Sequence, residues 1–162
     1  MIQKIYWHGV AIVKIVLYRM MFGKGLVFPL SSTFRERFNL TIVNGGGISS
    51  RVMIGRNVFF NHDCSITCSG SSVTIGDGTI FGENVKIYDH NHRYKDTTIP
   101  IKEQGYTSAP VTIGKHCWIA SNVVILKGVT IGDNSVIGAG CIIHKDVPEG
   151  KVVVNKQSLE MK

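Results

Sequence analysis

Leucine and alanine, two of the commonest helix formers, are scarce in this chain of 162 residues: 6 Leu and 4 Ala stand against 18 Val and 20 Ile. Val and Ile lose side-chain freedom in a helix and pack well on a pleated surface, so the shortage argues against a helix bundle or coiled coil. Acidic residues are also few, 11 against 18 Lys and Arg, and the formal charge of +7 favours an anionic ligand, an anionic membrane surface or nucleic acid. No basic, aromatic-studded motif accompanies that charge, so nucleic-acid binding is not expected. The four cysteines, Cys64, Cys68, Cys117 and Cys141, include no C-x-x-C pair, and no secretory signal with a small-residue cleavage site is present. A reducing cytoplasm is therefore the expected compartment. The apolar run from Ala11 to Phe22 is too short and too interrupted for a membrane-spanning helix.

Glycine is in excess, 18 of 162 residues or about 11%, where roughly 7% is usual. With 44% hydrophobic residues the chain is long enough for one domain with a real core, made of short strands and frequent turns.

A six-residue period organises those strands. Large apolar residues open twelve hexads: Ile54, Phe60, Ile66, Ile75, Phe81, Ile87, Ile113, Ile119, Ile125, Ile131, Ile137 and Ile143. Ile42 and Ile48 keep the same step upstream, which places the start of the array near residue 40. The fifth slot is small or β-branched: Val58, Cys64, Thr79, Val85, Cys117, Val123, Val129, Ser135, Cys141 and Val147. One bulky and one compact inward residue per hexad suit a short strand followed by a tight corner. Three hexads make an 18-residue turn, as from Ile113 to Ile131. The expected architecture is a prism of parallel β-coils in which each rung covers the edge of the next. The fifth-slot register makes Cys64, Cys117 and Cys141 inward free thiols, and Cys68, near a corner, is expected to be exposed and inert.

The period breaks twice. Ile66 and Ile75 are nine residues apart, with the surplus in Ser69-Gly70-Ser71-Ser72, and Ile87 and Ile113 are 26 apart, so that 20 extra residues leave the coil as a loop over 93–110. A loop of that size in a solenoid is usually functional or disordered. At its root stand Tyr88, Asp89, His90, Asn91, His92, Arg93 and Tyr94. By position alone His90 and His92 are either solvated corner residues or groups held accurately beside a pocket.

Twelve hexads in phase resemble the left-handed β-helix of the hexapeptide-repeat acyltransferases over residues 40 to 155. The strings VTIGKHCWIAS at 111–121 and GVTIGDNSVIGAG at 128–140, followed by Lys145-Asp146-Val147-Pro148, are most similar to the sugar, maltose, galactoside and streptogramin O-acetyltransferases. The hand of the coil comes from this resemblance, since ordinary parallel crossovers are right-handed. The resemblance implies an all-β fold of five to six coils with one long excursion loop. It also implies an acetyl-CoA co-substrate without a metal, and a homotrimer with active sites between subunits.

Residue by residue, the alignment through Asn84-Val85-Lys86-Ile87 puts His92 rather than His90 on the family's catalytic base. Asn61 falls on an acceptor-binding Asn, and Phe59 on a position where the galactoside enzymes carry a Tyr near the acceptor. Arg93 and Tyr94 follow the base and are expected to face the acceptor. Trp118 matches a Trp beside the pantetheine arm, Ser121 a residue whose backbone N–H faces the thioester carbonyl, and Ala139 a small residue against which coenzyme A lies. His144 and Lys145 are the candidates for its phosphate-bearing end, with Lys151 and Lys156 nearby. The chain departs from the family at 153–157, where Val153-Val154-Asn155-Lys156-Gln157 replaces a G-N-P-A-like segment.

Asn61, Ser121 and Ala139 follow the opening residue of a second hexad, and His92 follows the corner of a third, so they lie on different edges of the prism. They converge only where one subunit's edge meets a neighbour's, as a closed threefold ring allows. The expected reaction is acetyl transfer to a hydroxyl of a sugar or polysaccharide precursor by direct attack, with His92 as general base. An amino-sugar N-acyltransferase and an inactive scaffold are the alternatives. So is a zinc enzyme resembling the γ-class carbonic anhydrases, which would use His90, His92 and His116 but lacks a His at Ser121 for its H-x4-H pair. Residues 1–39 are read as a helical segment that either caps the coil or, with Lys4, Lys14, Arg19 and Lys24, contacts a membrane through residues 1–28. Residues 156–162 form a tail.

Overall fold

The computed structural model describes residues 2–44 and 49–156. Ile48 and the tail from residue 157 onward lie outside the described residues. Sixteen short strands of the coil form three all-parallel sheets, one on each face of a prism. The first sheet stacks Leu26–Val27, Arg51–Ile54, Ser72–Ile75, Val111–Ile113 and Thr130–Ile131. The second stacks Thr33–Phe34, Phe59–Phe60, Ile80–Phe81, Trp118–Ile119 and Val136–Ile137, with Val152–Val153 added at the end. The third stacks Asn39–Val43, Ser65–Ser69, Lys86–Tyr88, Val124–Ile125 and Ile142–Ile143. Successive hexads thus visit successive sheets.

The hexad-opening residues pair with one another across coils: Ile54 with Ile75, Phe60 with Phe81, Ile66 with Ile87, Ile119 with Ile137. Ile75 pairs with Ile113 across the long loop, so the excursion leaves the register intact. All twelve opening residues and all ten fifth-slot residues named above are buried. Each buried Ile contributes about 1.5–3 kcal/mol relative to an exposed one, and this column of side chains is the core.

Two of the three corners are built alike. Between the first and second sheets, Asn57, Gly78, His116, Asn134 and Gly150 all have positive φ; between the second and third, Arg37, Asp63, Asn84, Asn122 and Gly140 do. One left-handed residue per coil turns the chain tightly, which Gly, Asn and Asp tolerate best. The rungs lock there by backbone hydrogen bonds, with His116 N–H donating to Asp77 O and Asn134 N–H to Lys115 O, at 2.9 and 2.8 Å. His116, a conceivable zinc ligand by residue type, is thus one of these corner residues, on a different edge from His90 and His92.

The coil opens at Leu26, whose strand pairs with Arg51–Ile54, and not near residue 40. The hexad count misses this first turn because Leu40 pairs with Ile66, 26 residues on instead of 18, so that Phe28, Phe34 and Leu40 keep the six-residue step in a different phase from Ile42 and Ile48. Their rings continue into the next coils: Phe34 stacks on Phe38 at 4.7 Å between centroids, Phe38 lies 4.8 Å from Phe60, and Phe60 stacks on Phe81 at 4.6 Å. The helix Ile2–Phe22 (α1) closes this aromatic end and stops at Gly23, whose φ is +52°. Ala11 and Ile15 are buried on it, while Tyr18 packs on Phe34 and Phe38 and donates its hydroxyl to Phe38 O.

Cys68 is a correction. It is fully buried like the other three cysteines. Strand alternation carries its side chain inward two places after Ile66, because the strand continues to Ser69 instead of turning at the corner.

Candidate active site

The third edge, between the third and first sheets, carries both interruptions. His90–His92 leaves the coil there and pairs antiparallel with Tyr106–Ser108, so the long loop stands on a two-stranded ribbon. His92 lies opposite Tyr106, with ring centroids 4.6 Å apart, and His90 packs on the same tyrosine at 4.9 Å. Arg93 N–H donates to Gly105 O at 2.9 Å, and the Ser108 hydroxyl donates to Ser69 O at 2.7 Å, fastening the ribbon to the bulged corner below. Beyond the ribbon the loop folds on itself. The Gln104 side-chain amide donates to Asp96 O and Ile99 O, and its oxygen accepts from Asp96 N–H. The Asp96 carboxylate accepts from the Thr98 N–H and hydroxyl, which hold its pKa below the ordinary value.

A cavity of about 550 Å³ opens in this loop, lined by His92, Arg93, Tyr94, Asp96, Ile99 and Gln104 among others. His92 is exposed at its root, and Arg93 and Tyr94 form part of the wall.

Asp89 was not singled out by sequence and is the best-buried acid of the site. Its Oδ1 accepts from Ser69 N–H at 2.7 Å and contacts His90 Nδ1 at 2.8 Å; its Oδ2 accepts from Ser71 N–H at 2.8 Å and from the Cys68 thiol at 3.1 Å. A carboxylate accepts only, so His90 carries its proton on Nδ1. Burial first, and then Asp89, push the Cys68 thiol up to about 12, which makes it a hydrogen-bond donor and not a nucleophile. The signal was in the register: Val85, Ile87 and Asp89 alternate inward along one strand, so the acid had to be buried at the point where the loop begins.

Asn61, Ser121 and Ala139 follow strands of the second sheet and lie on the second edge. Asn61 N–H donates to Phe81 O, and Gly82 N–H, one coil on, to Ile119 O. A Cβ on Gly82 would lie 2.6 Å from Ser121 N, so only glycine lets the coils approach at that corner. The Ser121 hydroxyl accepts from Glu83 N–H at 3.1 Å, and Ser121 N–H has no backbone or side-chain acceptor among the described residues. Outward on the second sheet, Phe59, Ile80, Trp118, Val136 and Val152 stand in register as an apolar column, with Trp118 52% exposed. His144 and Lys145 are exposed on the third edge, two coils beyond His92.

One chain therefore assembles the expected site residues into two groups. His92, Arg93, Tyr94, His144 and Lys145 share the third edge; Asn61, Ser121 and Ala139, with Phe59 and Trp118 beside them, share the second. The third sheet separates the two. Among the described residues no three His, Cys, Asp or Glu side chains are grouped as a metal site.

Residues 110–145 match the bacterial transferase hexapeptide (six repeats) family. The chain is similar to the hexapeptide-repeat acyltransferases. It is 43% identical over 104 residues to the galactoside O-acetyltransferase of Escherichia coli (strain K12), an alignment that covers 64% of this chain and 49% of that protein. The crystal structure of a maltose O-acetyltransferase from Clostridium difficile 630 superposes with a TM-score of 0.57 at 32% identity, over 75% of this chain and 63% of that one. A galactoside acetyltransferase in complex with coenzyme A superposes with a TM-score of 0.54 at 35% identity, over 74% and 60%. The chain thus spans half to somewhat under two thirds of the length of these relatives. Its coil is the left-handed parallel β-helix of the hexapeptide-repeat acyltransferases.

Proposed function

We propose that this protein is an acetyl-CoA-dependent O-acetyltransferase acting on a hydroxyl of a sugar or polysaccharide precursor in the cytoplasm, with each site built between two subunits of a trimer. The observation that carries the reading is the division of the site: His92 stands at an open cavity on the third edge, and Ser121 and Ala139, with Trp118 beside them, stand on the second edge of the same prism. A closed threefold ring brings the third edge of each copy to the second edge of its neighbour with one repeated contact. The names of the relatives, and the coenzyme A bound in one of them, supply the donor.

In the proposed reaction neutral His92 takes the proton of the acceptor hydroxyl as its oxygen attacks the thioester carbonyl. The oxyanion that forms accepts from Ser121 N–H, a fixed donor that spends no hydrogen bond elsewhere in the described residues. Collapse breaks the C–S bond, and the proton on His92 passes to the departing thiolate of coenzyme A. Arg93, Tyr94, Asn61 and Phe59 bind the acceptor. Trp118 and Ala139 lie along the pantetheine arm, and His144 and Lys145 meet the phosphate-bearing end.

The test is acetyl-CoA consumption across saccharide and amino-sugar acceptors, with product analysis and with His92→Ala as the control. O-acetylated product from the parent and its loss in the variant are expected. Transfer to amines alone, or undiminished turnover by the variant, overturns the reading.

A further inference from the structure

The helix α1 meets the coil with one side only. At 3.6 residues per turn, Ala11, Ile15, Tyr18 and Phe22 follow one another along the side that covers the aromatic end of the core. Tyr6, Val13, Val16, Leu17, Met20 and Met21 cover the opposite side, and all six are exposed, from 41% for Val16 to 77% for Met20. Gly9 leaves a shallow furrow among them, lined by Tyr6, Val10, Val13 and Leu17 with Lys14 at the rim. A contiguous exposed apolar face of this kind marks an interaction surface.

Charge identifies what covers it. Lys14 and Arg19 are exposed on the two flanks of the apolar stripe, Lys24 follows one turn later, and none of the three is in an ion pair among the described residues. The first acidic residue of the chain is Glu36, so the first 35 residues hold Lys4, Lys14, Arg19, Lys24 and Arg35 and no counter-charge. Packing two copies of α1 face to face would bring like charges together with no acid to offset them. An anionic lipid surface has the opposite requirement: it takes the apolar side chains between its headgroups while Lys and Arg at the rim of the stripe reach its phosphates. Among the described residues no helix is long and apolar enough to cross a membrane, so the contact is peripheral.

We propose that the outer face of α1 seats this protein on an anionic lipid bilayer, with the coil standing away from the surface. In the threefold assembly proposed above, with the coils side by side, the three helices face one way and bind together. The seating itself does not depend on that assembly or on the acetyl-transfer reading, and its test reads no catalysis.

The experiment is co-sedimentation of the full chain with large vesicles of phosphatidylcholine alone and of phosphatidylcholine mixed with phosphatidylglycerol. Binding to the anionic vesicles, weakening as salt is raised, is expected, with little on the zwitterionic ones. Lys14→Gln with Arg19→Gln should weaken partition about tenfold or more, at about fivefold per cation near an anionic surface. Val13→Glu with Leu17→Glu should abolish it while the circular dichroism spectrum stays unchanged. A parent protein that remains in the supernatant with anionic vesicles overturns the proposal. So does undiminished binding by the Glu variant, and so does a lowered oligomeric mass of that variant in ultracentrifugation without vesicle binding by the parent, which would assign the face to a contact between copies.

Discussion

The first two edges of the prism and the third are made of the same chain and obey different rules. On the first edge the left-handed corner residues Asn57, Gly78, His116 and Asn134 are spaced 21, 38 and 18 residues apart; on the second, Asp63, Asn84, Asn122 and Gly140 repeat the same intervals. The excess over 18 is three and then 20, and Arg37 to Asp63, 26 apart, adds eight; all three fall on the third edge, as the Ser69–Ser72 bulge, the 93–110 loop and the stretch between Val43 and Arg51. A corner held by one left-handed residue admits no extra length, because an added residue would shift every following side chain to the other face. On the third edge the left-handed residues among those described, Gly70, Gly105 and Gly128, do not keep these intervals, so that edge can lengthen without cost to the register. It is there that Asp89 replaces an apolar inward residue and that His92 leaves the coil.

The largest effect expected from this division is chemical. His92→Ala should lower turnover by about 10² to 10⁴ while coenzyme A affinity, measured by calorimetry, is unchanged. A parallel loss on changing Asn134, a corner residue of the first edge, would erase the distinction. Next is the anchor of the irregular edge. Asp89→Asn leaves donors at Ser69, Ser71 and Cys68 facing a group that is half donor itself, and should cost about 2–4 kcal/mol in denaturant unfolding. If the cost is negligible, the network does not hold the loop to the coil. On the regular edges, Asn134→Ala should destabilise by about 1–2 kcal/mol and Asn134→Gly should not, since only the left-handed conformation is at stake. Equal losses for both would point to the Asn side chain instead of its backbone.

The smallest effect is a pH dependence. The Cys68 thiol is raised from 9.0 to about 12 in the folded protein, so above about pH 9 the unfolded chain releases this proton first. Its contribution to stability is whole below pH 9 and declines until about pH 12. Melting temperatures at pH 8 and pH 10 should differ less for Cys68→Ala than for the parent. An equal drop in both would remove Cys68 from the account.

The coil was legible because its signal is repeated: twelve opening residues in phase leave little freedom once two registers agree. The first turn escaped because eight extra residues between Leu40 and Ile66 put Phe28, Phe34 and Leu40 out of phase with the hexads counted back from Ile54. The break in the count and the resemblance together pointed to His92, Arg93 and Tyr94, and the structure puts all three at the cavity of the long loop. Cys68 was misplaced by treating hexad position as the whole rule, although strand alternation points it inward, and the same alternation would have found Asp89. The placement of these residues on the second and third edges was readable from the register, since it depends only on which hexad each residue follows.

The stacked corners carry one more consequence. Asn84, Asn122 and Gly140 donate their N–H groups to His62 O, Glu83 O and Ser121 O, a backbone ladder that repeats down the second edge, and Asn84 and Asn122 add a side-chain hydrogen bond of 2.9 Å. Each rung presents the same two turns and the same inward pair to the rung above and below, so whole turns are interchangeable parts. Growth or loss by a full circuit keeps both ladders aligned, whereas any other change of length must be absorbed where His92 stands. In this molecule height is quantised, and freedom in length is confined to the edge that carries His92 and the long loop.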